Sequence, residues 1–247
     1  MKDFINKYIS IIFWLSFVLL WQILVDLKLT PEYILPSPLS IIKAIFVNYK
    51  DLLHHTKITL IETFLGLFFG IAFGIILAYL MDKYKVVYKI IYPFFILLQT
   101  IPTIAIAPLL VLYLGYNLAP KVVLVAIVTI FPILVNVLNG LKNYDKDYEF
   151  LLKSFNAKSK HIWLYLKIPT CLPYFFAGLK VALSYAYISA VVSEWLGGFS
   201  GLGVCMIQAK KLFEYDLMFG VIFIVSFLSL ASVFLVGVCD KYFFRWK

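Results

Sequence analysis

Six apolar runs of roughly 20 residues, nearly free of charge, constrain the fold of this chain more than any other feature of its sequence. They occupy residues 8–25, 58–81, 90–114, 122–141, 175–196 and 217–238. An α-helix needs about 20 apolar residues to cross a bilayer, and a helix satisfies its own backbone hydrogen bonds in lipid. The runs therefore predict an all-α polytopic membrane protein with about six transmembrane helices.

Composition excludes an ordinary soluble domain. Only 14% of the 247 residues are charged and 63% are hydrophobic, whereas soluble domains carry about 25% charged residues. The three cysteines, Cys171, Cys205 and Cys239, lack metal-ligand spacing, so free thiols are expected. The sequence contains no Gly-Lys dipeptide, and a phosphate-binding loop of the ATPase type requires one.

The lysines and arginines predict the orientation of the chain in the membrane. With a cytoplasmic N-terminus, 14 of these residues lie in inside segments and 7 in outside segments. Positive residues favour the cytoplasmic side, so both termini and the loop 142–174 are expected inside. No small-residue cleavage site follows run 8–25, which we interpret as a retained first helix rather than a signal peptide.

The first outer segment contains the sequence Leu35-Pro36-Ser37-Pro38. Each proline disfavours helix at the residue before it, and Pro38 can open a short helix at its first position. Apolar residues recur at helical spacing after it, and a helix lying on the membrane surface is expected. These residues are Leu39, Ile42, Ile45 and Phe46.

The loop 142–174 predicts a helical hairpin. Two short helices, 147–155 and 158–167, flank Asn156, a residue that tolerates the left-handed conformation. Pro169 and Pro173 are expected to end the second helix. The hairpin has an apolar side, which either packs on the protein's own helix ends or docks a partner. Its members are Phe150, Leu151, Phe155, Ile162, Trp163, Leu166 and Ile168.

The third apolar run is rich in proline, with Pro93, Pro102 and Pro108. Proline frees backbone carbonyls and kinks a helix, and in lipid such a backbone is tolerated where it packs on protein or lines a watery cavity. We interpret the polar residues at the kink, Gln99, Thr100 and Thr103, as lining a pathway; a purely structural kink is the alternative.

Several motifs resemble those of bacterial ABC-importer permeases of the nitrate, sulfonate and taurine branch, which also includes importers of thiamine precursors. The resemblance covers most of the chain. In the loop, nine residues separate Ser154-Phe155-Asn156-Ala157-Lys158 from Ile168-Pro169, which is followed by Leu172-Pro173. The remaining motifs are Leu35-Pro36-Ser37-Pro38, Ile101-Pro102 with Pro108-Leu109, Ala177-Gly178-Leu179-Lys180, and Ser193-Glu194 with Gly201-Leu202-Gly203.

The resemblance implies a fold, a mechanism and partners. It implies the type I importer permease fold in a single domain, 1–247. Residues 1–56 provide a first helix and an outer amphipathic segment, and residues 57–238 the core helices. Two permeases, usually identical, form the pathway in the bacterial inner membrane, cytoplasmic ATPase subunits bind ATP and Mg, and an external solute-binding protein delivers a small polar solute. The permease itself holds no cofactor and is no enzyme.

The resemblance also assigns candidate residues. The loop would couple the ATPase to the pathway through Glu149, Phe150, Leu151, Ser154, Phe155, Asn156, Ala157, Ile162, Pro169 and Pro173. The candidates for the pathway and its gates are Gln99, Thr100, Pro102, Thr103, Pro108, Tyr185, Ser189 and Glu194. The chain departs from the family at Asn156, where glycine is usual, and at Phe150, where glutamate is usual. Glu62 stands where many sulfonate-type members have arginine, and the reversed charge argues against a simple anion route. The pattern Thr59-Leu-Ile-Glu62 with Gly66 resembles importers of pyrimidine thiamine precursors.

Ionisable residues inside apolar runs are functional candidates by default. Glu194 is either a solvated carboxylate at a helix end or an outer-gate contact, and Glu62 is expected near the interface because Lys57 and Thr59 are close to it. Lys180 is expected to snorkel to the inner face. Tyr185 and Ser189 either line a cavity or make interhelical hydrogen bonds.

Two other functions compete with a permease. A membrane-embedded enzyme requires clustered His, Asp or Glu at facing helix ends, and no such cluster is evident. A stand-alone ion-coupled carrier usually has buried acidic residues in two matching halves. Here the candidates are Glu62 and Glu194 alone, with no evident inverted repeat.

Overall fold

The computed structural model describes residues 2–31 and 34–243, without the side chains of residues 2–7 and Ser10. No strand occurs among these residues. Arg245 and Lys247, which contribute to the predicted charge bias, lie outside the described part. The helices are α1 Lys2–Asp26, α2 Pro38–Val47, α3 Tyr49–Lys83, α4 Lys85–Thr100, α5 Thr103–Leu114, α6 Leu118–Lys142, α7 Lys146–Ser154, α8 Ser159–Ile162, α9 Ile168–Gly197, α10 Leu202–Lys211 and α11 Tyr215–Phe243, with a π-helical turn at Trp163–Lys167 between α8 and α9.

Four helices of the described chain are long and apolar enough to cross a membrane: α3, α6, α11 and the rod Ser159–Gly197 that contains α8, the π turn and α9. The pair α4 and α5 is bent by 102° and gives a fifth, broken span. In α1 the described side chains run continuously only over Ile11–Asp26, which is among the shorter apolar helices of 10–17 residues. The all-α polytopic fold is confirmed, and the count of six spans stays a prediction.

The centre of the bundle is α6, which packs lengthwise between α3 and α9. Three glycines at every fourth position of α3, Gly66, Gly70 and Gly74, face this helix. A Cβ atom at Gly70 would collide with the side chain of Thr129, and one at Gly74 would lie 2.8 Å from a methyl carbon of Ile133. Small residues at this spacing let two membrane helices approach closely and gain dispersion energy.

The predicted outer helix is present as α2. Ser37 caps it by accepting a hydrogen bond from the backbone N–H of Ser40 at 3.1 Å, and Pro38 occupies its first turn. Ile41 and Ala44 are buried, and the helix packs on α11. The apolar residues Leu39, Ile42 and Phe46 are exposed, so α2 has an uncovered apolar face, and its location on the membrane surface stays a prediction.

The third predicted span is broken rather than kinked. Ile101 and Pro102 have extended backbone angles, with ψ of 122° and 129°. Proline excludes the helical conformation at the residue before it and cannot donate a helical hydrogen bond. Pro93 and Pro108 lie within α4 and α5 and do not interrupt them, so the sharp bend belongs to Pro102 alone of the three.

The prediction that Pro169 and Pro173 end the second helix of the hairpin is wrong. The π turn runs directly into α9, with Pro169 in the first turn of that helix and Pro173 inside it. A first turn has N–H groups without helical partners, so proline loses nothing there. The wider hydrogen bond from the N–H of Ile168 to the carbonyl of Trp163 carries the chain through this turn. The second helix of the hairpin, α8, therefore forms one continuous rod with the π turn and α9.

Candidate functional site

A small cavity lies at the break between α4 and α5. It has a volume of about 170 Å³ and is enclosed by α4, α5, α6 and α9. Gln99, Thr103 and Tyr185 contribute its polar groups, and no charged side chain lines it within the described chain. Its apolar wall consists of Leu98, Ile101, Ile106, Ile127 and Val128. Irregular backbone within a broken span is tolerated where it lines a cavity or packs on protein, and the break at Ile101 and Pro102 lies beside this cavity.

Only some of the predicted pathway residues converge on this cavity. Gln99, Thr103 and Tyr185 line it, although Tyr185 is 86 positions away from Gln99 along the chain. Thr100 is absent from the cavity wall, and its hydroxyl donates to the carbonyl of Leu97 at 2.7 Å. Ser189 is buried and donates to the carbonyl of Tyr185 at 2.7 Å. Ser189 therefore supports α9 from within and does not face the cavity.

The proline candidates behave differently from the polar ones. Pro102 produces the break, yet neither Pro102 nor Pro108 is part of the cavity wall. Both prolines are exposed in this chain. Their contribution is to the backbone path of α4 and α5.

Glu194 organises a second site, a polar cluster buried between α3, α9 and α10. Its Oε1 accepts a hydrogen bond from the Thr59 hydroxyl at 2.6 Å, and its Oε2 accepts one from the backbone N–H of Gly203 at 2.5 Å. The N–H of Leu202 donates to the same Thr59 hydroxyl at 2.9 Å. Glu194 and Thr59 thus satisfy N–H groups in the first turn of α10, where a carboxylate also complements the helix dipole.

The loop before α10 is shaped around this carboxylate. Gly201 has a φ of +125°, and its N–H donates to Nδ1 of His55 at 3.0 Å. A Cβ atom at Gly201 would overlap the Glu194 carboxyl group. Both the backbone conformation and the space require glycine here. The Gly-Leu-Gly motif is therefore a cradle for Glu194.

Glu62 forms a buried ion pair with Lys121, with Oε1 and Nζ 2.6 Å apart and side chains only 1% and 6% exposed. Glu62 Oε2 has no hydrogen-bond partner in the described chain. The Glu62 and Glu194 carboxyl groups are close enough to interact electrostatically, and the ammonium group of Lys121 pairs with Glu62.

The alternative of a solvated carboxylate is wrong for both Glu62 and Glu194, because each side chain is 1% exposed; the position of Glu62 near the membrane interface and the outer-gate role of Glu194 stay predictions. Lys121 was not identified as a site residue from the sequence, because it counts there only as a positive charge in an outer loop. The signal that could have identified it is a lone lysine in the first turn of an otherwise uncharged span. Lys180 is also paired, to Asp240 of α11, and Tyr187 hydrogen-bonds Ser232 of the same helix at 2.8 Å.

The hairpin formed by α7 and α8 is the third site. Asn156 has a φ of +55°, which confirms the predicted left-handed turn between the two helices. Phe150 and Phe155 are each 76% exposed, and Leu151 is 48% exposed. Ser154 donates to the carbonyl of Leu151 at 2.7 Å. The tip thus presents three adjacent uncovered apolar side chains.

The opposite side of the hairpin packs on the bundle. Ile162 is only 7% exposed, and the Trp163 ring meets the Tyr79 ring of α3 edge-on, with centroids 5.0 Å apart. Lys167 pairs with Asp82 at the end of α3, at 2.7 Å. Packing on the chain itself therefore holds for Ile162 and Trp163, whereas the side chains at the tip stay uncovered and docking of a partner there stays a prediction.

Charged groups brace the first helix of the hairpin. Glu149, one position from the family's usual glutamate, pairs with Lys153 at 2.7 Å. The Lys153 ammonium and the Tyr144 hydroxyl hold the pKa of Glu149 below its usual range. The hydrogen bond to Glu149 raises the pKa of Tyr144 to about 12. Ala157, next to the left-handed turn, donates its N–H to the carbonyl of Leu152 at 3.0 Å.

The described chain shows no cluster of three or more His, Cys, Asp or Glu side chains placed to hold a metal ion. Cys171, Cys205 and Cys239 are free thiols, as predicted. The Glu62–Lys121 ion pair and Glu194 are separate from the side chains that line the cavity.

Comparison with known proteins identifies the chain's relatives. Residues 70–245 match the family described as binding-protein-dependent transport system inner membrane component. A probable ABC transporter permease protein of Haemophilus influenzae is 37% identical over 88% of this chain and 89% of its own length. The formylaminopyrimidine transport permease protein ThiX of Halalkalibacterium halodurans is 34% identical over 96% of this chain and 94% of its own.

A third relative is the riboflavin transport system permease protein RibX of Chloroflexus aurantiacus, 33% identical over 92% of this chain and 85% of its own. Among solved structures, an amino acid ABC transporter crystallised with histidines superposes with a TM-score of 0.63 at 19% identity. It covers 81% of this chain and 96% of its own. The likeness to that structure concerns the fold alone. Since the family model and these relatives cover most of the sequence, the chain belongs to the binding-protein-dependent transport system inner membrane component family and is a permease subunit of an ABC transporter.

Proposed function

We propose that the chain forms the pathway of a bacterial ABC importer for a small, uncharged heteroaromatic solute of pyrimidine type. The observation that carries this proposal is the cavity at the break between α4 and α5. Its lining combines an aromatic ring, an amide and a hydroxyl with aliphatic walls and has no charged member. Such walls suit a flat ring with a few hydrogen-bonding groups, because binding sites are mostly apolar with a few placed polar groups.

The same lining argues against the nitrate- or sulfonate-like alternative. An anion leaving water needs a cationic or strongly hydrogen-bonding partner, since burying an unpaired charge is costly. The cation buried in the polar cluster, Lys121, is already paired with Glu62. The volume of the cavity, about 170 Å³, is smaller than the roughly 300 Å³ at which pockets for drug-sized ligands begin. The cavity therefore fits a solute with a single ring rather than a larger molecule.

A second copy of the chain completes the pathway in this proposal. α4 and α5 carry exposed apolar side chains beside the cavity, among them Leu97, Ile104 and Leu112 at 64%, 53% and 76% exposure. A two-fold pair of identical surfaces encloses a route at its symmetry axis. Gln99 and Tyr185 line the cavity and are exposed in the single chain, so each copy would present one wall of the route.

The energy comes from partner subunits. ATPase subunits, which would bind the ATP and Mg, dock on the hairpin tip at Phe150 and Phe155, and a solute-binding protein delivers the solute from outside. The tip supports this role because it is an uncovered apolar patch on a short helical hairpin. Both termini and residues 142–174 are cytoplasmic in this arrangement, in accord with the positive charge of the loop.

Solute uptake by the whole transporter tests the proposal. The permease, its ATPase and its binding protein are reconstituted in vesicles, and uptake of labelled formylaminopyrimidine is compared with uptake of nitrate and an aliphatic sulfonate. Gln99→Ala should lower pyrimidine uptake at least tenfold if its amide contacts the ring. Thr100→Ala is the matched control, because Thr100 is adjacent but absent from the cavity wall.

The proposal fails if the wild-type transporter moves nitrate or sulfonate but no uncharged ring compound. It also fails if Gln99→Ala and Thr100→Ala have equal effects on pyrimidine uptake. Both variants keep the break at Pro102, so a difference between them reports on the cavity rather than on folding.

A further inference from the structure

An apolar groove opens on the bundle beside the hairpin. It has a volume of about 470 Å³, its lining has no polar surface, and it runs between α3, α6 and the start of α9. Ile75 and Ile76 of α3 and Phe175 of α9 are among its walls. Ile75 and Ile76 are 41% and 53% exposed, so the described residues leave this groove open.

A basic cleft continues this groove towards the hairpin. The cleft has a volume of about 810 Å³, and Tyr79, Trp163 and Ile168 line both spaces. Four lysines line it, against only two carboxylates, Asp82 and Glu149, among the described residues. The lysines are Lys83, Lys153, Lys160 and Lys167. The cleft therefore has a formal excess of two positive charges.

The ion pairs show which of these charges are available. Lys167 is paired with Asp82 and Lys153 with Glu149, each at 2.7 Å. Lys83 and Lys160 have no carboxylate partner in the part of the chain that the structure describes. Lys83 lies over the Tyr79 and Tyr84 rings, with Nζ 5.7 and 5.2 Å from their centroids. Two ammonium groups at one end of an apolar groove remain without a counter-ion.

We propose that the groove and the cleft together bind an anionic phospholipid. Its phosphate lies between Lys83 and Lys160, and one acyl chain occupies the apolar groove. Basic pockets between membrane helices bind anionic headgroups, and each buried CH₂ of an acyl chain contributes about 0.8 kcal/mol. Tyr79 and Trp163 stand at the junction, where amphipathic aromatic rings favour the headgroup level.

The ATPase and the lipid would use different sides of the hairpin. Glu149 and Lys153 line the cleft, whereas Phe150, next to Glu149, is uncovered. Successive residues of a helix point about 100° apart, so one side of α7 faces the cleft while the adjoining side faces away. A lipid in the cleft would lie under the hairpin, between it and the ends of α3 and α9. Its occupancy does not depend on which solute is carried.

Lipid titration of the delipidated permease–ATPase complex tests this site. Native mass spectrometry measures binding of phosphatidylglycerol and of phosphatidylcholine with the same acyl chains. Phosphatidylglycerol should bind the wild type more tightly. The double variant Lys83→Gln/Lys160→Gln should weaken its binding about 25-fold, since each lysine near an anionic surface contributes roughly fivefold. Lys146→Gln/Lys158→Gln removes the same amount of charge from hairpin positions that do not line the cleft and should change binding less than twofold.

A third variant separates the headgroup from the acyl chain. Ile76→Trp fills the groove without altering charge and should also weaken phosphatidylglycerol binding. The proposal is overturned if the two lipids bind equally, or if Lys83→Gln/Lys160→Gln behaves like its control. It is also overturned if glycerol phosphate binds as tightly as the lipid, or if cross-linking from Ile76→Cys places a second permease copy or the ATPase in the groove.

Discussion

Removing Lys121 should destabilise the permease more than any exposed lysine does. In Lys121→Met the carboxylate of Glu62 remains buried beside Glu194 with no ammonium group to balance it. At 2.6 Å and an effective dielectric constant of about 20, the attraction that is lost is roughly 6 kcal/mol. Relaxation and protonation recover part of it, and breaking one side of a buried pair typically costs about 3–5 kcal/mol.

The double variant Glu62→Gln/Lys121→Met separates the pair from the packing. It removes both charges together, and replacing a whole buried ion pair by uncharged side chains is often near neutral. We therefore expect most of the lost stability to return. The coupling between the two substitutions, rather than either value alone, measures the interaction.

Thermal unfolding of the purified permease in detergent provides the measurement. For a chain of this size 3–5 kcal/mol corresponds to a fall in Tm on the order of 10 °C. Lys57→Met, at an exposed position of α3, the helix that carries Glu62, should change Tm by about a degree or two. If Lys121→Met unfolds at the same temperature as Lys57→Met, the buried pair contributes nothing and the reasoning is refuted.

Three further predictions concern packing, pH and topology. Gly70→Ala should separate α3 from α6 and lower Tm by several degrees, whereas Gly237→Ala, where a Cβ atom meets only a lysine side chain at 3.9 Å, should not; equal shifts would contradict close packing. The pKa of Glu149 is lowered in the folded hairpin, first of all by Lys153. The ionised Glu149 therefore stabilises the folded hairpin above the usual carboxyl pKa, and this stabilisation is lost as pH falls through the lowered pKa. The protection factors of the hairpin amides, taken against the intrinsic exchange rate at each pH, should therefore fall in wild type only on acidification, and in Glu149→Gln they should be low already at pH 7; an unchanged Glu149→Gln profile would refute this. A maleimide applied outside intact cells should label Ser37→Cys and not Ser159→Cys, and the reverse pattern would invert the topology.

Part of the fold could be predicted from the sequence, because it depends on the conformational preferences of single residues. The left-handed turn at Asn156 and the helix opened by Pro38 depend on the preferences of single residues, and the structure contains both. Pro169 misled the analysis because proline stops a helix in its interior but is tolerated in its first turn. The π turn that places Pro169 there depends on the path of the whole hairpin.

The sites were less accessible to sequence reasoning because they depend on tertiary approach. Glu62 and Lys121 are 59 positions apart, and charge counting treats every lysine outside a span as a marker of topology. Tyr185 and Gln99 line one cavity because α9 and α4 both pack on α6. The cradle of Glu194 was visible as a Gly-Leu-Gly motif, yet the sequence alone could not show that the carboxylate turns inward to meet it.

In the proposed function, the ATPase moves the hairpin tip, and the continuous rod of α8, the π turn and α9 carries this movement to the pathway. Phe155→Ala removes a side chain that is 76% exposed and, as an interface anchor, should weaken ATPase binding by about 2 kcal/mol or more. Asn156→Val strains the turn at φ of +55°, because β-branched residues avoid this conformation, while Asn156→Gly keeps it. Phe213→Ala is the matched control, since Phe213 is equally exposed but lies after α10, far along the chain from the hairpin.

The most direct measurement is solute-stimulated ATP hydrolysis by the reconstituted transporter, with ATPase co-purification recorded on the same samples. The account predicts that Phe155→Ala and Asn156→Val insert normally but lose stimulation, whereas Phe213→Ala and Asn156→Gly retain it. Wild-type stimulation and wild-type ATPase association in both Phe155→Ala and Asn156→Val would contradict the account and make the hairpin a structural connection only.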